Sequence, residues 1–139
     1  MRKVLVIDDD ADILELMQQT LEYFGYEVRV TSQAYAAFSL IDAFKPELVL
    51  LDFKLDGANG GEICHQIKTN PWTAHLPVVM VSAYSRIILS NGGYGYDKLL
   101  AKPVGLKELL STVEKFCPGD LTPSQNLKNL GDYPQIFHN

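Results

Sequence analysis

The stretch Glu47-Leu48-Val49-Leu50-Leu51-Asp52 decides the fold class of this chain. Its apolar residues follow one another without alternation, so a strand formed by them must be covered on both faces. The stretch ends on a carboxylate, and residues 53–61 after it are rich in Gly, Asn and Asp, as loops are. Asp52 is therefore predicted at the carboxyl end of a buried strand, at the edge of an open α/β sheet where ligands bind.

The remainder of the chain repeats a strand followed by a helix. Predicted strands are residues 3–7, 27–31, 47–52, 77–82 and 99–101. Predicted helices run from Asp10 to Gly25, over Ala34–Phe44, from Gly60 or Gly61 to Lys68, and from Leu106 to Phe116. Between the fourth and fifth strands, residues 85–90 allow only about one and a half helical turns before a Gly-rich break. The alternation predicts an α/β fold with a parallel sheet and helices on both faces.

Composition narrows the class of protein. A length of 139 residues favours one domain, and a net charge of −5 argues against a nucleic-acid surface. No apolar run approaches the roughly 20 residues of a membrane span, and the N-terminus opens directly into a strand, so we expect a cytoplasmic protein with no membrane or nucleic-acid partner. Cys64 and Cys117 lack metal-ligand spacing and are expected to be free thiols, with a disulfide as the less favoured alternative.

Polar residues follow the predicted strands at the points where the strands end. If the first and third strands are neighbours, Asp8, Asp9 and Asp52 meet, and three carboxylates at one point repel unless a cation joins them. Oxygen ligands with room for water suit Mg²⁺. Ser82 ends the fourth strand and adds a hydroxyl group. Lys102 follows the fifth strand and adds an ammonium group. Such a set fits an acidic oxygen that attacks phosphorus while a metal and a lysine hold the phosphoryl oxygens.

The motifs resemble a known family. Val4–Asp10 resembles the first strand and acidic pair of the receiver domains of two-component response regulators, and Leu50-Leu51-Asp52 with Gly60 resembles their phosphoacceptor strand and loop. Val79–Ala83 resembles the hydroxyl-bearing fourth strand, and Lys102-Pro103 resembles the lysine with its usually cis proline. The resemblance covers roughly residues 2–117, and four motifs in the right order make it specific.

The resemblance implies a doubly wound, five-stranded parallel sheet, a flavodoxin-like (βα)5 fold with strand order 2-1-3-4-5. It also implies that Asp52 accepts a phosphoryl group from a phosphohistidine and that Ser82 and Lys102 contact the phosphoryl oxygens. For Mg²⁺, the implied ligands are Asp9 and Asp52 directly, Asp8 mainly through water, and the backbone carbonyl of Lys54.

The chain departs from the family pattern at its switch position. The residue three before the lysine is usually aromatic, and here it is Leu99. Tyr94 or Tyr96 could substitute, although surface or packing roles are the favoured interpretation for both. Together with the short segment 85–90, this departure leads us to expect a remodelled or mobile output face.

We interpret the chain as a stand-alone receiver that signals by phosphorylation-dependent protein contact. Residues 1–117 would form the receiver domain and residues 118–139 a tail without a separate output domain. The partners would be a sensor histidine kinase or phosphotransfer protein and an unidentified downstream protein. One alternative is a pseudo-receiver that binds partners without phosphate. The other is a Mg²⁺-dependent phosphohydrolase, disfavoured because Lys54 occupies the position where an acid would protonate a leaving group, so we expect no enzyme.

Two aromatic features complete the predictions. Trp72 follows a proline-bounded turn and is expected to cover an edge of the core rather than to stack on a ligand. Tyr133 and Phe137 in the tail leave two alternatives open, docking on a partner or packing back onto the domain.

Overall fold

A computed structural model describes residues 2–83, 93–118 and Gly131. The strands of its main sheet are β1 (Lys3–Ile7), β2 (Glu27–Thr31), β3 (Leu48–Asp52), β6 (Val78–Ser82) and β7 (Lys98–Ala101), and a small hairpin is formed by β4 (Lys54–Leu55) and β5 (Ala58–Asn59). The helices are α1 (Ala11–Tyr23), α2 (Ala37–Phe44), α3 (Gly60–Thr69) and α4 (Leu106–Phe116), and a 3₁₀ turn at Ala34–Ala36 precedes α2.

The five long strands form one parallel sheet in the order β2-β1-β3-β6-β7. The predicted order 2-1-3-4-5 and the α/β class are confirmed, with β6 and β7 as the predicted fourth and fifth strands. Every residue of β3 is buried, as its unbroken apolar run requires. The predicted strand bounds differ from the observed ones by no more than one residue.

The core is divided by the sheet into two layers. Side chains alternate along β1, so that Val4 and Val6 face α1 and α4, whereas Leu5 and Ile7 face α2 and α3. We call these the α1/α4 layer and the α2/α3 layer. Asp10 begins α1 by accepting hydrogen bonds from two backbone N–H groups of the first turn, and Gly25, at φ +95°, follows its end.

The two cysteines lie in different layers. Cys64 of α3 belongs to the α2/α3 layer and Cys117 after α4 belongs to the α1/α4 layer, so the sheet separates them. Both are free and buried, which confirms the predicted thiols. Burial raises the pKa of Cys64 to about 12 and the pKa of Cys117 to about 11.

The loop after β3 is more ordered than the sequence indicates. Lys54 pairs with Asn59 and Leu55 with Ala58 in an antiparallel hairpin that turns at Gly57, whose φ is +72°. Two-residue strands are too short to show alternation, so the pattern of Gly, Asn and Asp predicted only a loop. The predictions for residues 85–90 and for the tail lie outside the described residues, apart from Gly131. Within the described ranges, no helix is both long and apolar enough to cross a membrane.

The prediction for Trp72 is wrong, because its side chain is 86% exposed. The Asn70 side chain accepts the Trp72 N–H, and the turn then directs Thr73 inward, where its hydroxyl donates to the Ile67 carbonyl at 2.7 Å. Thr73 and Leu76 therefore cover this edge of the core. Trp72 instead borders a cavity of about 570 Å³, the Trp72 groove, whose lining includes Phe38, Ile41, Glu47, Trp72, Thr73 and Leu76.

Candidate functional site

The carboxyl ends of β1 and β3 bring three acids together. Asp52 is the last residue of β3, and Asp8 and Asp9 directly follow β1, its neighbour in the sheet. One carboxylate oxygen from each lies within 4.8 Å of the others. Asp8 and Asp52 are buried, whereas Asp9 is exposed, so the cluster opens to solvent on one side.

The two oxygens of Asp8 are both engaged. Oδ1 accepts the Asp10 backbone N–H at 3.0 Å, and Oδ2 accepts from Lys102 Nζ at 2.9 Å. The first bond fixes the carboxylate to the beginning of α1, and the second joins it to the other side of the site. The sequence marked Asp10 only as the residue at which the first helix begins. Its backbone N–H also orients Asp8, a role that the acidic run could not distinguish from capping.

Lys102 follows β7 and extends across the site to both buried acids. Its Nζ lies 2.9 Å from Asp8 Oδ2 and 3.4 Å from Asp52 Oδ2, and the side chain is 25% exposed. Burial lowers the pKa of Lys102, but the hydrogen bond and charge of Asp8, with a further contribution from Asp52, outweigh burial and raise it above 10.5. The Lys102–Pro103 peptide bond is cis, as the resemblance implies.

Ser82 stands at the same edge. It is the buried last residue of β6, and its carbonyl accepts the Lys102 backbone N–H at 2.9 Å. The ends of β6 and β7 are thus joined beside Asp52. Lys54, two residues beyond Asp52, has an exposed side chain in the hairpin. The role of its carbonyl as a ligand stays a prediction.

Burial and repulsion act together on Asp52. Burial, the main cause, and the charge of Asp8 raise the pKa of Asp52 from 3.8 to about 6, against the lowering effect of Lys102. Three carboxylates and one ammonium leave an excess of negative charge beside an oxygen-rich opening. A divalent cation that prefers oxygen ligands fits this donor set, because it would supply the charge that Lys102 alone does not.

The beginning of α3 is packed directly on the end of β3. Gly60 N–H donates to the Phe53 carbonyl at 2.6 Å, and a Cβ at position 60 would lie 2.9 Å from Phe53 Cα and closer still to the Asp52 carbonyl oxygen. Only glycine therefore fits at position 60. A Cβ on Gly61 would come within 2.6 Å of the Tyr94 ring.

Aromatic packing beside the site was not predicted in detail. The ring centroids of Phe53 and Tyr94 lie 5.7 Å apart, and both side chains are half-buried against the α2/α3 layer. Tyr96 and Leu99 are also half-buried there, so the favoured packing role for the two tyrosines agrees with the structure. The adjacent glycines 60 and 61 were the sequence signal for this close approach.

Known proteins are similar to this chain in both sequence and architecture. The chain is 32% identical over 115 residues to the DNA-binding dual master transcriptional regulator RpaA of Synechocystis sp.. The aligned region covers 81% of this chain and 48% of RpaA. It is 35% identical over 114 residues to the nisin biosynthesis regulatory protein NisR of Lactococcus lactis, with the same two shares. The chain thus spans about half the length of these curated relatives.

Solved structures agree with the sequence comparison. The response regulator protein TrrA of Thermotoga maritima, in complex with Mg²⁺ and BeF, superimposes with a TM-score of 0.75 at 26% identity, over 84% of this chain and 99% of that one. The family model described as the response regulator receiver domain matches residues 4–114. Receiver domains are signalling domains of two-component systems that interact with histidine kinases or phosphotransfer proteins. With the acidic edge and the sheet order that the structure describes, this match establishes that the chain belongs to the response regulator receiver domain family.

Proposed function

We propose that Asp52 accepts a phosphoryl group from a phosphohistidine of a sensor histidine kinase or phosphotransfer protein. The observation that carries the proposal is the position of Asp52, at a strand end between two acids and an ammonium group. The relatives are named as regulators, and TrrA was solved with Mg²⁺ and BeF, a combination that suits a phosphoryl-binding site.

In the proposed reaction, a carboxylate oxygen of Asp52 attacks the phosphorus atom, and the bond from phosphorus to the histidine nitrogen breaks. That nitrogen keeps the electron pair, and Asp52 becomes an acyl phosphate. Lys102 lies 3.4 Å from Asp52 and would pair with a phosphoryl oxygen, while the Ser82 hydroxyl would donate to another. Transfer requires the ionised form of Asp52, whose pKa in the metal-free protein is raised to about 6, and bound Mg²⁺ would favour that ionised form.

The donor set supports Mg²⁺ as the cofactor. Asp9 and Asp52 would bind it directly, Asp8 mainly through water, and Lys54 through its backbone carbonyl. When bound, Mg²⁺ would neutralise charge on the phosphoryl oxygens and help to align them. Asp8 is held by Asp10 and Lys102, which suits a residue that orients water rather than one that moves to meet a ligand.

The signal is proposed to be a change in protein contact. An acyl phosphate adds negative charge at Asp52 and would draw Ser82 and Lys102 toward it, which biases an existing two-state equilibrium. Residues 1–117 are proposed as the unit that switches, with residues 118–139 as a tail, and the protein is proposed to act in the cytoplasm. The downstream partner is proposed to be a protein.

Intact mass after incubation with acetyl phosphate and Mg²⁺ tests the acceptor. We expect the wild type to gain one phosphoryl mass, Asp52→Asn to gain none, and Asp56→Asn to behave as the wild type. Asp56 is the matched control because it is an exposed acid four positions further along, in the hairpin that follows β3. A sample without Mg²⁺ should not react. A gain that persists in Asp52→Asn would contradict the proposal.

One observation favours a second candidate, an interaction module that works without phosphate. Leu99 stands where the family usually has an aromatic residue, and it is half-buried against the α2/α3 layer. A leucine side chain has no ring or hydroxyl group whose position could change when Ser82 moves. Beryllofluoride with Mg²⁺ separates the two candidates: chemical-shift changes at Ser82 and Lys102 support the phosphoacceptor, and unchanged spectra support the alternative.

A further inference from the structure

Phe53 lies between two residues that are proposed to bind the cation. Asp52 precedes it and would supply a carboxylate, and Lys54 follows it and would supply its backbone carbonyl. The Phe53 carbonyl accepts the Gly60 N–H at 2.6 Å, so the backbone at position 53 is joined to the beginning of α3. The two proposed ligands can meet at one ion only when the backbone between them keeps its direction. The way in which Phe53 is held therefore matters for the site.

The Tyr94 ring packs on both groups that hold Phe53. Its centroid lies 5.7 Å from that of the Phe53 ring, with the two planes inclined by 50°. A Cβ added at Gly61 would come within 2.6 Å of Tyr94 Cζ and 2.7 Å of its two Cε atoms, so the end of the ring lies directly on the first turn of α3. One side chain thus contacts the Phe53 ring and the helix turn to which the Phe53 backbone is bonded.

The segment that carries Tyr94 is itself attached to α3. Asp97 Oδ2 accepts the Val78 N–H at 2.8 Å and forms an ion pair with Lys68 Nζ of α3 at 3.1 Å. Gly95, at φ +85°, lies between Asp97 and Tyr94 and gives the chain a turn that other residues rarely adopt. Tyr94 therefore packs on the first turn of α3, while its own segment is tied to the same helix about two turns further along.

We propose that Tyr94 is a positioning residue for the acidic site, which holds the Asp52 carboxylate and the Lys54 carbonyl in the arrangement that binds Mg²⁺. The inference rests on the proposed function. Without the ring, the backbone at Phe53 would have more arrangements, and Mg²⁺ would bind only the fraction of molecules in the competent one. The route passes through Phe53 and α3 rather than through Ser82, so it needs no aromatic residue at position 99.

Isothermal titration calorimetry with Mg²⁺ on the unphosphorylated full chain tests this role. We expect Tyr94→Ala to raise the Kd for Mg²⁺ by about five-fold or more, the lower end of typical couplings between sites. Tyr94→Phe should bind as the wild type, because the contacts described for Tyr94 are made by ring atoms. Tyr96→Ala is the matched control, since Tyr96 is a half-buried tyrosine of the same layer, and should also bind as the wild type.

Gly61→Ala disturbs the same contact from the other side. Its methyl group would overlap the end of the Tyr94 ring, so the ring must move away from α3. We expect this variant to raise the Kd for Mg²⁺ as well. Added to Tyr94→Ala, it should raise the Kd no further, because the ring is already absent. Melting temperatures of all variants, measured without Mg²⁺, identify those that are folded at the temperature of the titration.

A purely structural role predicts a different result. Tyr94→Ala would then lower the melting temperature and leave the Kd for Mg²⁺ of the folded protein unchanged, which would overturn the inference. An equal rise of the Kd in Tyr96→Ala would overturn it too. Intact mass after acetyl phosphate separates this failure from that of the proposed function. If the wild type binds Mg²⁺ and gains a phosphoryl mass while Tyr94→Ala binds Mg²⁺ normally, only the positioning role is refuted. A wild type that does neither refutes both proposals.

Discussion

Replacing Asp52 by Asn should stabilise the metal-free protein at neutral pH. The pKa of Asp52 is raised in the folded state to about 6, from 3.8. The folded state therefore binds the proton more tightly than the unfolded state, and stability falls as pH rises between these two values. Each pKa unit corresponds to about 1.4 kcal/mol, so ionised Asp52 costs the folded state about 3 kcal/mol above pH 7. Asn keeps the shape of the side chain and removes the charge.

Urea denaturation in the presence of EDTA measures the effect. At about pH 7.5, we expect Asp52→Asn to unfold with a free energy about 3 kcal/mol larger than that of the wild type. At about pH 4, where Asp52 is protonated in the folded wild type, the difference should shrink to about 0.5 kcal/mol. Asp56→Asn removes the same charge from an exposed loop position and should change stability little. Equal stability of wild type and Asp52→Asn at the higher pH would refute the reasoning that burial and repulsion strain this carboxylate.

Three further predictions concern the cation, a glycine and a hydrogen bond. Mg²⁺ at ten times its dissociation constant should raise the unfolding free energy of the wild type by about 1.4 kcal/mol, and a thermal-shift titration of Asp9→Asn should show no such rise. Gly60→Ala should destabilise the protein by about 3 kcal/mol in chemical denaturation because its Cβ would overlap the backbone at the end of β3. Gly105→Ala, whose Cβ meets nothing within 4 Å, should cost no more than about 1 kcal/mol, the loss of a glycine N-cap before α4. Asp97→Ala should cost about 1–3 kcal/mol because the buried Val78 N–H loses its 2.8 Å acceptor, and Asp97→Asn should retain most of that stability if its amide oxygen accepts the bond.

The fold was predictable because each main element had its own local signal. The unbroken apolar run of β3 required a sheet covered on both faces, and Asp10 and Gly25 marked the ends of α1. The strand order followed from the family resemblance rather than from periodicity. The positions of Asp8 and Asp52 at adjacent strand ends followed from that order, because the carboxyl ends of parallel strands share one edge.

The details that the sequence did not predict depend on tertiary packing. Trp72 was expected to cover the core, but the Asn70 turn places Thr73 inward instead, and no periodic pattern distinguishes those two orientations. The Lys102 contact with Asp8 joins residues 94 positions apart and depends on the paths of β1 and β7 together. The packing of Tyr94 on Gly61 likewise requires both α3 and the residues before β7.

The placement of one buried thiol in each core layer gives this protein a built-in pair of reporters. An intramolecular disulfide would have to cross the sheet, so oxidation cannot link Cys64 to Cys117 while the domain is folded. Alkylation requires a thiolate in contact with solvent, and both thiols are buried with raised pKa values. Modification of each cysteine therefore measures how often its own side of the sheet opens. The ratio of the two labelling rates would show how unevenly stability is distributed across the domain, and whether a ligand at the acidic edge tightens one half more than the other.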